Sequence, residues 1–196
     1  MNAKKPTLEN PDKEALELSI GQMLTALGYD LTTDGLRDTP QRVARFLVEQ
    51  SSRPKFKLSV FEEAGANEPV INADLDWSSL CEHHMLPFFG TAVIGYLPNG
   101  KTIGGISKFG RVLHHFAAGL NNQERITRAV GEFLSTHPQL NPNGVGVILQ
   151  AQHTCMNIRG VKCTRSQTVT QYLSGAFKTD AALRAEFLGT ANRLLK

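Results

Sequence analysis

From about Ala73 the chain reads as two successive extended segments, "DLDWSSLCEHHMLP" and "FFGTAVIGYLP", the second closing at "PNGK", which is turn chemistry. Segments of this kind in immediate succession can pair as a hairpin, so the fold is built on a sheet. Their junction carries a thiol, a carboxylate and two imidazoles in a row: Cys81, Glu82, His83 and His84.

The flanking sequence supplies helices. "DKEALELSIGQMLTALGYD" has Leu16, Ile20, Leu24 and Leu27 at helical spacing and stops at Gly28, a residue suited to a helix C-terminus. "GLRDTPQRVARFLVEQSS" offers Asp38 or Thr39 as N-cap, Pro40 in the first turn and an apolar face of Val43, Phe46 and Leu47. Beyond the hairpin, "SKFGRVLHHFAAGLNNQERITRAVGEFLSTH" is helical in two pieces broken near Gly119, with Asn121 or Asn122 able to cap the second. "GVGVILQAQHTCMNIRG" and "SQTVTQYLSGAF" return to β-type patterns, and "TDAALRAEFLGTANRLLK" closes as a capped helix. The order predicts an α+β fold with an antiparallel sheet. It divides into a polar leader over residues 1–11, an N-terminal helical region over 12–72 and the sheet-bearing domain over 73–196.

With 21 basic against 18 acidic residues, interspersed, the net charge of +3 is too mild to imply nucleic-acid binding. No apolar run approaches the roughly 18 to 20 residues of a membrane helix, and the start of the chain has no apolar signal-peptide core, so a cytoplasmic protein is expected. Three cysteines do not read as a secreted disulfide framework, which favours metal binding or catalysis.

Zinc prefers thiolate and imidazole ligands, and a catalytic zinc keeps three of them with one position open. Cys81 and His84 stand close enough to converge from one turn, and His153 and Cys155 of "HTC" would share a side of an extended strand. Two such pairs, each beside strand-like sequence, suit a site assembled from two strands. Ordinary buried thiols are the alternative. His114 and His115 of "LHHF" read as structural or surface residues, and Cys163 as incidental.

Taken in order and spacing, "SSLCEHHMLPFFG", "SKFGRV", "NNQERIT", "QAQHTCMNIRG" and "SQTVTQYLSGAF" resemble GTP cyclohydrolase I, over about residues 12 to 190. The resemblance implies the tunnelling fold, an antiparallel sheet with helices on one side, preceded by a helical N-terminal region. It implies zinc-dependent opening of the guanine imidazole ring of GTP, release of formate and formation of 7,8-dihydroneopterin triphosphate, which feeds pterin and folate biosynthesis. Zn2+ would be held by Cys81, His84 and Cys155, with His83 and His153 as catalytic proton carriers. Glu124, with Gln123 beside it, would read the guanine edge. Ser107, Lys108, Arg111, Arg159, Arg42 and Arg45 would hold the triphosphate. The implied assembly is a homo-oligomer, commonly a decamer of two stacked pentamers.

The chain departs from the usual family pattern at "GGISK", where Gly104 replaces a branched apolar residue, and at "AAGLNNQER", where arginines and a glutamine are missing. A paralogue acting on a related purine nucleotide, and a non-catalytic nucleotide-binding ring protein, are the competing classes. The second is weakened because a structural zinc normally has four protein ligands.

Overall fold

The structure, a computed structural model, describes residues 11–194, so the leader lies outside the described residues except for Pro11. It falls into two compact units, one ending at Arg53 and the other beginning at Pro54. Residues 54–72, grouped with the helical region in the sequence reading, lie in the second unit.

In the N-terminal unit, α1 (Lys13–Ala26) is capped by Asp12, whose carboxylate accepts the Ala15 N–H at 3.0 Å, and Gly28 follows its end with φ +87°. The second helix, α2 (Thr39–Ser51), has Pro40 in its first turn. Asp38 precedes it, but its side chain binds Arg42 at 3.0 Å and no helix N–H. Ile20 and Ala44 are buried, while Leu27 and Phe46, expected on the apolar faces, remain 66% and 39% exposed.

The second unit runs β1 (Val60–Glu62), β2 (Val70–Cys81), β3 (Pro87–Leu97), β4 (Thr102–Gly104), α3 (Ser107–Ala117), β5 (Leu120–Asn121), α4 (Gln123–Ser135), β6 (Gly144–His153), α5 (Thr154–Asn157), β7 (Thr168–Gly175), α6 (Ala176–Thr179) and α7 (Ala181–Leu194). The main sheet has the order β5-β2-β3-β6-β7, antiparallel except for the short β5 beside β2, and β1 pairs separately with β4. This is the α+β, tunnelling-fold architecture expected from the sequence, with the hairpin of β2 and β3 at its centre.

The alternation of side chains sorts the sheet into two faces. Phe88, Ala92, Ile94 and Tyr96 of β3 and Val145, Val147 and Leu149 of β6 pack with Phe109, Val112 and Leu113 of α3 and Ile126, Val130 and Leu134 of α4. Val93 and Ile148 point the other way, to Phe177, Phe187 and Ala191 of α6 and α7. The two long internal helices thus share one side, and the closing helix covers part of the opposite one.

One irregularity decides which side β2 serves. Its pairing with β3 shifts between Asn72 and Leu75, where Asp74 takes φ +51°. Before the shift Ile71 and Ala73 belong to the α7 side; after it Leu75, Trp77 and Cys81, of the same odd parity, belong to the α3/α4 side. The extra residue of this bulge turns the end of β2, with Cys81, toward the side covered by α3 and α4.

Gly104 has a packing reason: a Cβ there would lie 3.0 Å from the Phe109 ring, and its N–H donates to the Tyr96 hydroxyl at 2.9 Å. The backbone must come this close to seat Tyr96 on Phe109, whose rings stack at 5.2 Å.

Candidate metal centre

At the end of β2 the chain reverses within a tight turn. Cys81 O accepts the N–H of His84 (3.3 Å) and of Met85 (2.8 Å), Cys81 N–H donates to Leu86 O (2.8 Å), and Met85 takes φ +55° to close the reversal. Cys81 and His84 are thereby held side by side, the Cys81 Sγ lying 3.7 Å from His84 Nδ1.

The third candidate ligand, and the second sulfur, comes from just beyond the end of β6. Pairing of β3 with β6 stops at Phe88↔His153, because Thr154 would next face Pro87, which has no N–H to give. Thr154 instead donates its hydroxyl to Pro87 O at 2.6 Å and starts the single turn α5, on which Cys155 sits. Cys155 is therefore on a helical turn, and the shared strand side expected for "HTC" does not apply. The ligand atoms of Cys81, His84 and Cys155 all lie within 4.8 Å of one another, with Cys81 buried, Cys155 half-buried and His84 exposed. This cluster can hold a metal ion. Burial first, and then the adjoining Cys81 thiol, push the Cys155 pKa above its ordinary value. Two thiols so close resist ionising together, and a cation between them removes that conflict.

Around the cluster, His83 is exposed, with Nδ1 3.8 Å from Cys81 Sγ. The Arg159 guanidinium donates to His84 Nε2 at 2.7 Å, which brings this expected phosphate ligand to the edge of the centre. His153 stacks on Phe88 with ring centroids 4.6 Å apart, and burial holds its pKa below the usual imidazole range, partly offset by the nearby Glu124 charge.

Gln123, expected beside the substrate, is buried at 1% exposure. Its amide nitrogen donates to Leu149 O (2.9 Å) and Thr168 O (3.0 Å), so its oxygen is turned to His153 Nε2 at 2.8 Å. An oxygen there requires a hydrogen on Nε2. The geometry thus makes Gln123 the residue that sets the His153 tautomer, with both amide hydrogens engaged by the protein.

Glu124 is exposed on the first turn of α4. Ser107, Lys108 and Arg111 lie at the start of α3 and make no side-chain hydrogen bond or ion pair among the described residues. Arg42 and Arg45 are exposed on α2 in the other unit. His115 donates from Nδ1 to Pro54 O at 2.9 Å and packs on Phe56 and Phe116, the structural role expected of it. Cys163 is exposed and apart from the cluster.

Sequence reasoning gave no task to Glu82 or Arg125, and to Asn122 only the cap of α4. Glu82 accepts from Arg125 Nη1 (2.7 Å) and Nη2 (3.1 Å) and from the Asn122 amide (2.8 Å), and these donors, Arg125 foremost, hold its carboxyl below the usual carboxylate range. Glu82 and Arg125 lie within "CEHH" and "QER", but their pairing is long-range and leaves no local pattern.

Comparison with known proteins places these features. The sequence model of the GTP cyclohydrolase I family matches residues 16–192. GTP cyclohydrolase 1 of Aquifex aeolicus is 43% identical over 178 residues, covering 90% of this chain and 95% of that protein. GTP cyclohydrolase 1 of Bacillus subtilis is 39% identical over 185 residues, covering 92% and 96%. Among solved structures, the apo archaeosine synthase QueF-like covers 58% of this chain and 97% of its own, at 13% identity and a TM-score of 0.44.

Proposed function

Since the chain belongs to the GTP cyclohydrolase I family, we propose that it hydrolytically opens the imidazole ring of GTP, releases formate and yields 7,8-dihydroneopterin triphosphate. The observation that carries this reading is the convergence of Cys81, His84 and Cys155, from two strand ends far apart in sequence, to within 4.8 Å.

Two thiolates and one imidazole are a donor set suited to zinc, and three protein ligands match a catalytic zinc better than a structural one. When bound, zinc supplies Lewis acidity that makes water nucleophilic at C8 of guanine near neutral pH. His153 carries the proton that a ring nitrogen needs as the C–N bond breaks. With Nε2–H committed to Gln123, the proton it exchanges is the one on Nδ1. Its lowered pKa favours the neutral form near pH 7, and the proximity of Glu124 supports the charged form when it is needed. His83, exposed beside Cys81, is the second proton carrier.

Glu124, whose carboxylate has no partner among the described residues, accepts the adjacent N–H donors of the guanine edge. Ser107, Lys108, Arg111 and Arg159 take the triphosphate. The candidate metal and proton-transfer residues fall within segment 73–196, and the helices α1 and α2 within segment 12–72. Edge positions with exposed apolar side chains, Leu120 on β5 and Val169 on β7, support self-association, which we assign to a decamer of two stacked pentamers. Among the described residues no helix is long and apolar enough to cross a membrane; we assign the protein to the cytoplasm, at the first step of pterin and folate synthesis.

The test is incubation of metal-analysed protein with GTP, following formate and the fluorescence of the oxidised pterin, with Cys155→Ala as control. Formate and pterin appearing together, dependent on zinc and lost in the control, is the expected result. Formate without pterin would make the chain a ring-opening relative, and neither product despite bound zinc and GTP would overturn the enzymatic reading.

A further inference from the structure

Glu82 is tied to the start of α4 by both its backbone and its side chain. Its N–H donates to Asn121 O at 3.0 Å, and its carboxylate receives the Asn122 amide and the Arg125 guanidinium. Asn122 works in two directions: its oxygen caps α4 by accepting the Arg125 N–H at 2.8 Å, while its nitrogen holds Glu82 at 2.8 Å. Three side chains thus form a closed circuit. On one side of it stand Cys81 and His84, two of the three metal-ligating residues; on the other stand Gln123, which orients His153, and Glu124.

We propose that Asn122 is a positioning residue: acting through Glu82, it fixes the Cys81–His84 turn against the N-terminus of α4 and so sets the metal centre relative to His153 and Glu124. A turn held only by its own backbone bonds can rock about the end of β2. A carboxylate gripped by three N–H donors on the neighbouring helix cannot move without breaking charge-assisted bonds. The involvement of Glu124 rests on the cyclohydrolase function; the hold on the metal ligands does not.

Two substitutions separate this task from helix capping, since Ser and Asp both cap well. Asn122→Ser keeps an acceptor for the Arg125 N–H but has no amide to reach Glu82. Asn122→Asp keeps the cap and sets a like charge against Glu82. Each is compared with the parent full-length protein in unfolding midpoint, in the visible spectrum after loading with Co2+, in the rate at which Zn2+ passes to a chromogenic chelator, and in kcat and KM for GTP.

The expected result is an unchanged midpoint, a shifted Co2+ spectrum and metal release about tenfold faster for Asn122→Ser and faster again for Asn122→Asp. The loss in kcat exceeds the change in KM. In a Glu82→Met background, which leaves the Asn122 amide and the Arg125 guanidinium no acceptor, Asn122→Ser adds nothing further, because both changes open the same circuit. Unaltered metal release and spectrum in both variants would overturn the proposal, whatever the midpoint does, and so would an Asn122→Ser effect of full size in the Glu82→Met background. If the parent protein makes no formate from GTP, the function fails on its own, and spectrum and metal release still decide the circuit.

Discussion

At the scale of single residues, the site separates groups whose chemistry shows in their type from groups whose task depends on what they face. Cys81, His84, His153 and Cys155 could be nominated from sequence as candidate zinc ligands because few residue types bind zinc and two local pairs were visible, and the family resemblance chose Cys81, His84 and Cys155 among them. Gln123 could not be read in the same way. A glutamine beside a glutamate looks like a second substrate contact, yet the carbonyls of Leu149 and Thr168, on two other strands, take its amide hydrogens and turn its oxygen to His153. Replacing it with methionine, of similar length but without an amide, should lower the rate of formate release from GTP by about tenfold or more, as loss of an orienting partner does. Metal content should stay at the parental level, as measured on the same preparation.

At the scale of elements, most helix and strand positions were legible because capping residues and periodicity are local signals. Asn122 caps α4, and Asp180 caps α7 by accepting the N–H groups of Ala182 (2.8 Å) and Leu183 (3.1 Å). The miss at "HTC" came from the partner strand: Pro87 ends the ladder, so Cys155 turns into α5. Another partner effect shows on α4, where a Cβ at Gly131 would lie 2.1 Å from the Tyr172 ring of β7. Alanine is the better helix former by about 0.8 to 1 kcal/mol, yet overpacking costs about 1 to 3 kcal/mol, and here the second effect wins. Gly131→Ala should therefore destabilise the fold in chemical denaturation; a gain in stability would show that α4 can shift away from the sheet.

At the scale of the whole molecule, stability depends on pH through groups buried by long-range packing. Burial lowers the pKa of His137 below its ordinary 6.5, beside Phe133 and with its Nδ1 accepting the Leu140 N–H. The folded chain then binds that proton less readily than the unfolded one. Its contribution to stability is intact above about 6.5 and falls away as the pH drops below it, whereas the lowered carboxyl of Glu82 acts only further down, from about 4.5. The unfolding midpoint should fall between about pH 7.5 and pH 5.5, and His137→Gln, which keeps an acceptor but does not titrate, should flatten that fall. An identical slope in the variant would remove His137 as a source. By itself the sequence determined which thiols and imidazoles are candidates to hold a metal, the order of helices and strands and the family, because these are written in residue types and local spacing. Only the tertiary structure decided that the bulge at Asn72–Leu75 turns Cys81 to the α3/α4 side, that Cys155 meets it from a helical turn, and that Glu82 is gripped by α4. Those outcomes depend on register and on which groups meet across 40 or more residues of chain, as Glu82 meets Asn122, and no local pattern specifies either.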